Sequence, residues 1–206
     1  MGDDIKKWFE RTLSKAAEGL IKKVANEPKH SRFITQKEIN LIHKGVVQGL
    51  IEIDGNLFSL PSQKKKRYDA FTLNREYFVQ FATFVKLITE HGYAVSDCAF
   101  EYHLMDICVF DHGKPFIYVE TKVSDSSSKK LIEELTNTYG SDVTKFKDQP
   151  DRGIDALRKA KCIFRDRPKY FSVINPAREY SFEVSYTSTG FSLKKIAKIP
   201  ISGWIK

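Results

Sequence analysis

Three residues near the middle of the chain, Asp106, Glu120 and Lys122, combine types and spacing that can do chemistry on a phosphate. Glu120 and Lys122 stand two residues apart in the run 116–123, which otherwise reads as a buried strand. A strand repeats every two residues, so both side chains emerge on one face. A Glu and a Lys placed there are costly unless paired, hydrated or bound to a metal. Asp106 opens the preceding strand candidate, 106–110, and the turn residues Asp111, His112, Gly113 and Lys114 join the two. Antiparallel pairing would then bring Asp106, at the start of one strand, near Glu120, toward the end of the other. Two carboxylates with the carbonyl oxygen of Thr121 form an all-oxygen donor set of the kind that suits Mg²⁺ or Mn²⁺. Such an ion acidifies and orients water and neutralises charge on a phosphate, while Lys122 can steady the nucleophile and the negative transition state. A plainer reading stays open. Asp106 can be a strand-end acid, and Glu120 with Lys122 a charge pair on an open sheet face.

These residues need elements to position them. The pattern predicts a helix over 72–91, with Phe78, Phe81, Ala82, Val85 and Ile88 as its buried stripe and Gly92 as its stop. Strands at about 93–101, 106–110 and 115–123 follow, then a helix from Lys129 to about Tyr139 capped by the serines 124–128. A helix over 153–162, a strand over 169–175 and two strands over about 179–200 complete this part. The first part reads differently. Residues 4–25 form an amphipathic helical pattern, and Thr35 with Glu38 begins a second helix in the form of a capping box. An Asp54-Gly55 hairpin signal comes next. Helix, helix and hairpin in that order resemble a small winged-helix module over about fifty residues, without a diagnostic motif. The segment 62–67 has linker composition and ends in Lys64, Lys65, Lys66 and Arg67. The expected organisation is therefore helices and hairpin over 1–61, a basic linker over 62–67, and a mixed α/β domain over 68–206.

Composition narrows the function classes. The chain has 206 residues, 29% of them charged, with 15 Phe and 9 Tyr to build a core, which suits a globular protein. No apolar run approaches the roughly 20 residues needed to span a bilayer. Met1-Gly2-Asp3-Asp4 lacks the basic start of a signal peptide, and three well-separated cysteines lack zinc-ligand spacing. Reduced core thiols in a cytoplasmic protein are the expectation. The net charge of +8 and a pI near 9.2 favour a polyanionic partner. Lys64, Lys65, Lys66, Arg67, Lys129 and Lys130 are the candidate phosphate contacts. No G-x-S-x-G, Walker loop or G-x-G-x-x-G is present, which removes the usual hydrolase and nucleotide-binding signatures.

Asp106, then Glu120-Thr121-Lys122, within a helix-strand-strand-strand-helix-strand order over residues 72–175, resembles the PD-(D/E)XK nuclease superfamily. The resemblance implies a restriction-endonuclease-like core and Mg²⁺- or Mn²⁺-dependent hydrolysis of phosphodiesters. It favours DNA over RNA and endonuclease over exonuclease action. It makes Asp106 and Glu120 metal ligands and Lys122 the catalytic lysine. It also points to a further carboxylate from the first core helix, where Glu76 fits and Glu90 fits less well. His103, two residues from Glu101 on the first strand, matches the histidine ligand of some RNA-cutting members. A homodimer suits the cutting of two strands. Met105, not Pro, precedes Asp106, and the following helix lacks the Gln-x-x-x-Tyr pattern of one branch. Two rivals remain: a non-catalytic nucleic-acid-binding protein, and a protein whose basic face meets another protein or an anionic surface.

Overall fold

A computed structural model describes residues 35–54, 57–63, 67–69 and 76–203. The helix expected over 4–25, the hairpin-tip residues Gly55 and Asn56, and Lys64, Lys65 and Lys66 lie outside the described residues. The chain divides into two compact units, Met1–Glu90 and His91–Lys206.

The first unit contains helix α1 (Gln36–Val47), the strands β1 (Glu52–Asp54), β2 (Leu57–Ser59) and β3 (Arg67–Asp69), and helix α2 (Glu76–Thr89). At the start of α1 the Glu38 carboxylate accepts the Thr35 amide at 2.8 Å, the capping contact read from the sequence. The expected hairpin forms as β1 against β2, and β3 extends it to a three-stranded antiparallel sheet. Linker composition pointed to a division at 62–67; β3 begins at Arg67, paired with Ser59, and α2 follows it within the unit that ends at Glu90. Phe58 packs edge-on against Phe78 and Phe81 of α2. A Cβ at Gly45 of α1 would overlap Val85 and Ile51, so the absent side chain allows α1 and α2 their close approach.

The second unit is a mixed α/β fold around one six-stranded sheet in the order β4 (Cys98–Tyr102), β5 (Met105–Asp111), β6 (Lys114–Thr121), β7 (Tyr170–Ile174), β8 (Glu179–Tyr186), β9 (Phe191–Ile196). All neighbours are antiparallel except β6 and β7, which run parallel. Parallel neighbours need a long crossover. Here it consists of α3 (Asp125–Glu133), a wider π-type turn (Glu134–Tyr139), and α4 (Asp155–Asp166). Ser124 caps α3 by accepting the Ser127 amide at 3.2 Å, as the serine run suggested.

The β5–β6 hairpin turns on His112 and Gly113, both with positive φ (49° and 75°). Two such residues give the turn whose twist matches its strands, and Gly113 meets that demand without strain. One face of the sheet carries Cys108, Tyr118, Phe171, Val173, Phe182 and Val184, packed with Leu131, Leu135, Ala156, Ala160 and Ile163 of the crossover. At the far side, Gly140 after the π turn meets Gly190 in the β8–β9 turn. A Cβ at Gly190 would overlap the carbonyl oxygens of Gly140 and Ser141, and the Phe191 amide donates to Gly140 at 2.6 Å. Lysines 194 and 195 stand exposed on β9, at the sheet's edge, where charge discourages pairing with another strand. Among the described residues no helix is long and apolar enough to cross a membrane.

Candidate functional site

The β5–β6 register builds the site. Ile107 faces Val119, and one step further Asp106 comes opposite Glu120 on the face that also carries Cys108 and Tyr118. The Asp106 Oδ2 accepts both the Thr121 amide and the Thr121 hydroxyl, each at 2.6 Å. Thr121 thus orients Asp106 through its amide and hydroxyl. Lys122 continues past the end of β6, its amide donating to the Ile174 carbonyl at 2.8 Å, which anchors the lysine beside the parallel strand.

Glu120 is 2% exposed, the most deeply placed acid at the site. Its Oε1 receives Lys122 Nζ at 2.5 Å, a contact between two side chains that the two-residue spacing put on one face. Its Oε2 lies 2.7 Å from Lys159 Nζ, an ion-pair contact without the alignment of a hydrogen bond. Burial and the neighbouring charge of Asp106 push the Glu120 carboxyl up to about 7, and the two lysines oppose that rise.

Lys159 is the residue that motif reasoning missed. It rises from α4, is 4% exposed, and also donates to the Leu104 carbonyl at 3.0 Å and pairs with Asp155 at 3.3 Å. Burial alone would lower its pKa, but the Glu120 and Asp155 carboxylates raise it further, so the ammonium form is held. A signal was available in the sequence. Lys159 falls among Ala156, Ala160 and Ile163, the apolar stripe of its own helix, where a charge needs a partner.

Asp106 and Glu120 suit a hard divalent cation in chemistry. Both offer oxygen, and the buried Glu120 Oε2 has no aligned hydrogen bond of its own. Mg²⁺ is commonly held by one or two carboxylates, with water and phosphate completing its shell. Among the described residues no group of three or more His, Cys, Asp or Glu side chains gathers into a fuller cage.

Glu76 opens α2 and Glu90 ends the first unit, whereas Asp106, Glu120 and Lys122 all belong to the second. Glu101 and His103 do not alternate along a strand as expected. Both have positive φ (51° and 54°), and His103 sits in the β4–β5 turn, its Nδ1 2.5 Å from Arg165 Nη2. Lys129 pairs with Asp125 at 2.8 Å and Lys130 with Glu134 at 4.0 Å, so two expected phosphate contacts are already matched by acids one turn away. Arg67 is the first residue of β3. All three cysteines are buried and unbridged, and burial pushes the Cys98 thiol up to about 12, which suits core packing and not nucleophilic attack. A cleft of about 780 Å³, lined by Phe116, Tyr170, Lys169 and Lys198 among others, lies toward the start of β6 and includes none of the three motif residues.

Neither a protein-family model nor a curated protein sequence matches the chain.

Proposed function

We propose that the protein is a divalent-metal-dependent nuclease of the PD-(D/E)XK type, hydrolysing phosphodiester bonds, DNA more readily than RNA. The observation that carries this reading is the convergence of Asp106, Glu120 and Lys122 at one end of β5 and β6. The surrounding order adds support: three antiparallel strands, a helical crossover, then a strand parallel to the third. A basic chain in need of a polyanion agrees with it.

Asp106 and Glu120 are the residues that would hold the cation, Mg²⁺ or Mn²⁺. When bound, that ion neutralises phosphate charge and lowers the pKa of water. The protein's own side chains supply the rest. Thr121 fixes the Asp106 carboxylate in place. Lys122, 16% exposed, stands between the buried Glu120 and solvent, where an ammonium group can orient water and counter negative charge that grows during attack. Lys159 holds Glu120 from beneath and keeps its charge matched.

The same ion network also supports a second reading. With two lysines, Glu120 is balanced as it stands, as in a structural network, and the protein would then bind nucleic acid without cutting it. Cleavage of plasmid DNA and labelled single-stranded DNA and RNA separates the two. Metal-dependent cutting, abolished by EDTA and lost in folded Asp106→Asn and Lys122→Ala variants, is the expected result. Tight binding with no cutting by the unaltered protein would sink the nuclease reading in favour of the binding protein.

A further inference from the structure

Positive charge gathers in residues 145–169, which contain nine Lys and Arg against four Asp. The structure turns this stretch into a surface. In α4, Ala156, Leu157, Ala160 and Ile163 are buried, which leaves Arg158, Lys161 and Arg165 on the outward stripe at helical spacing. Arg152 and Arg167 stand exposed just before and just after the helix. The acids of this stretch offset the cations only in part. Lys161 lies 3.7 Å from Asp151 while its Nζ donates to the Gln149 carbonyl at 2.9 Å, and Arg165, 55% exposed, pairs with its neighbour Asp166. From Arg158 to Arg165 is about 10 Å along a helix axis. Duplex DNA presents one phosphate per strand about every 3.4 Å of its axis, so the three cations span roughly three phosphates of one strand.

From this we infer that the outward face of α4 is the track that holds a nucleic-acid backbone. It adds a described surface to the candidate contacts Lys64, Lys65, Lys66, Arg67, Lys129 and Lys130. The inference rests on the nuclease reading for its purpose, but not for its physics. Lys159 of the same helix grips Glu120 from the inner side, so the helix that carries the track also reaches the chemical centre. The contacts are to backbone charge, and they set register without reading sequence.

The test is binding of short labelled duplex, measured by fluorescence anisotropy in EDTA across a salt series, on variants whose fold is checked by circular dichroism. Arg158→Gln with Lys161→Gln should weaken binding roughly tenfold and reduce the slope of log affinity against log salt by about 2. This pair leaves the Arg165 contacts intact, and adding Arg165→Gln should deepen the loss. Lys194→Gln with Lys195→Gln on β9 removes the same charge elsewhere and should change little. Equal loss in the β9 pair, or unchanged binding in the α4 pair, would overturn the inference. So would failure of the unaltered protein to bind duplex at low salt, or its capture only by phosphatidylserine vesicles. Cleavage is read separately with Mg²⁺ present: loss of binding in the α4 pair, without any cutting by the unaltered protein, supports the track while ending the nuclease reading.

Discussion

Helices α3 and α4 both lie in the crossover between β6 and β7, and both carry lysines, but they handle charge in opposite ways. On α3, Lys129 and Lys130 are exposed, and each meets an acid one turn away, Asp125 on the same helix and Glu134 at the start of the π-type turn. Such pairs contribute a few tenths of a kcal/mol at most. On α4, Lys159 is buried and its partners come from β6, from the β4–β5 turn and from its own helix. One lysine thus ties three segments together at the place where Glu120 sits. The difference teaches that a pair of basic letters on an exposed helix face is a weak guide to what they touch. A single basic residue inside an apolar stripe is a better one, because burial forces it to have a partner.

The comparison can be broken by substitution. Lys159→Met should cost the most, about 3 kcal/mol, because Glu120 then keeps only Lys122 in a water-poor setting. Pairing it with Glu120→Gln should recover a good part of that loss. Urea denaturation of the two single variants and the double measures the coupling, and additive losses would show that Lys159 and Glu120 do not act together.

A smaller effect is expected with pH. The Glu120 carboxyl is raised from 4.5 to about 7, so the folded protein holds a proton there that the unfolded chain has released. Stability from this group is therefore greatest below about pH 4.5 and declines as pH rises toward 7. Melting temperatures across that window should fall less steeply in Glu120→Gln. Asp125, lowered to about 2 by hydrogen bonds from Lys129 and Tyr180, acts in the opposite sense, and its contribution fades only at strongly acid pH. Smallest of all, Lys129→Ala with Lys130→Ala should shift stability by less than about 0.5 kcal/mol. A large loss in that pair, by the same denaturation assay, would erase the contrast between the helices.

Much of the second unit was legible in the sequence because its signals are local. The shared face of Glu120 and Lys122 follows from strand period, the β5–β6 turn from His112-Gly113, and the α3 cap from its serines. What was not legible depends on contacts between distant segments. Nothing near residue 67 announces that Arg67–Asp69 will pair with β2, a strand that starts where composition pointed to the end of a linker. The positive φ of Glu101 and His103 breaks the alternation that put them on one face. Lys159 lies 39 positions from Glu120, and only the packing of α4 onto the sheet brings them together. Its place in the apolar stripe was visible, yet its partner was not.

The grip of Lys122 and Lys159 on Glu120 also bears on how this sequence can drift. Replacing Glu120 leaves two ammonium groups short of an acid, and replacing either lysine leaves Glu120 with one cation where it had two, in a site with little water, so single steps are penalised. Substitutions that remove the acid and the deeper lysine together escape much of that penalty. Among relatives that have lost cleavage, positions 120 and 159 should therefore vary jointly, while positions 129 and 130 wander independently.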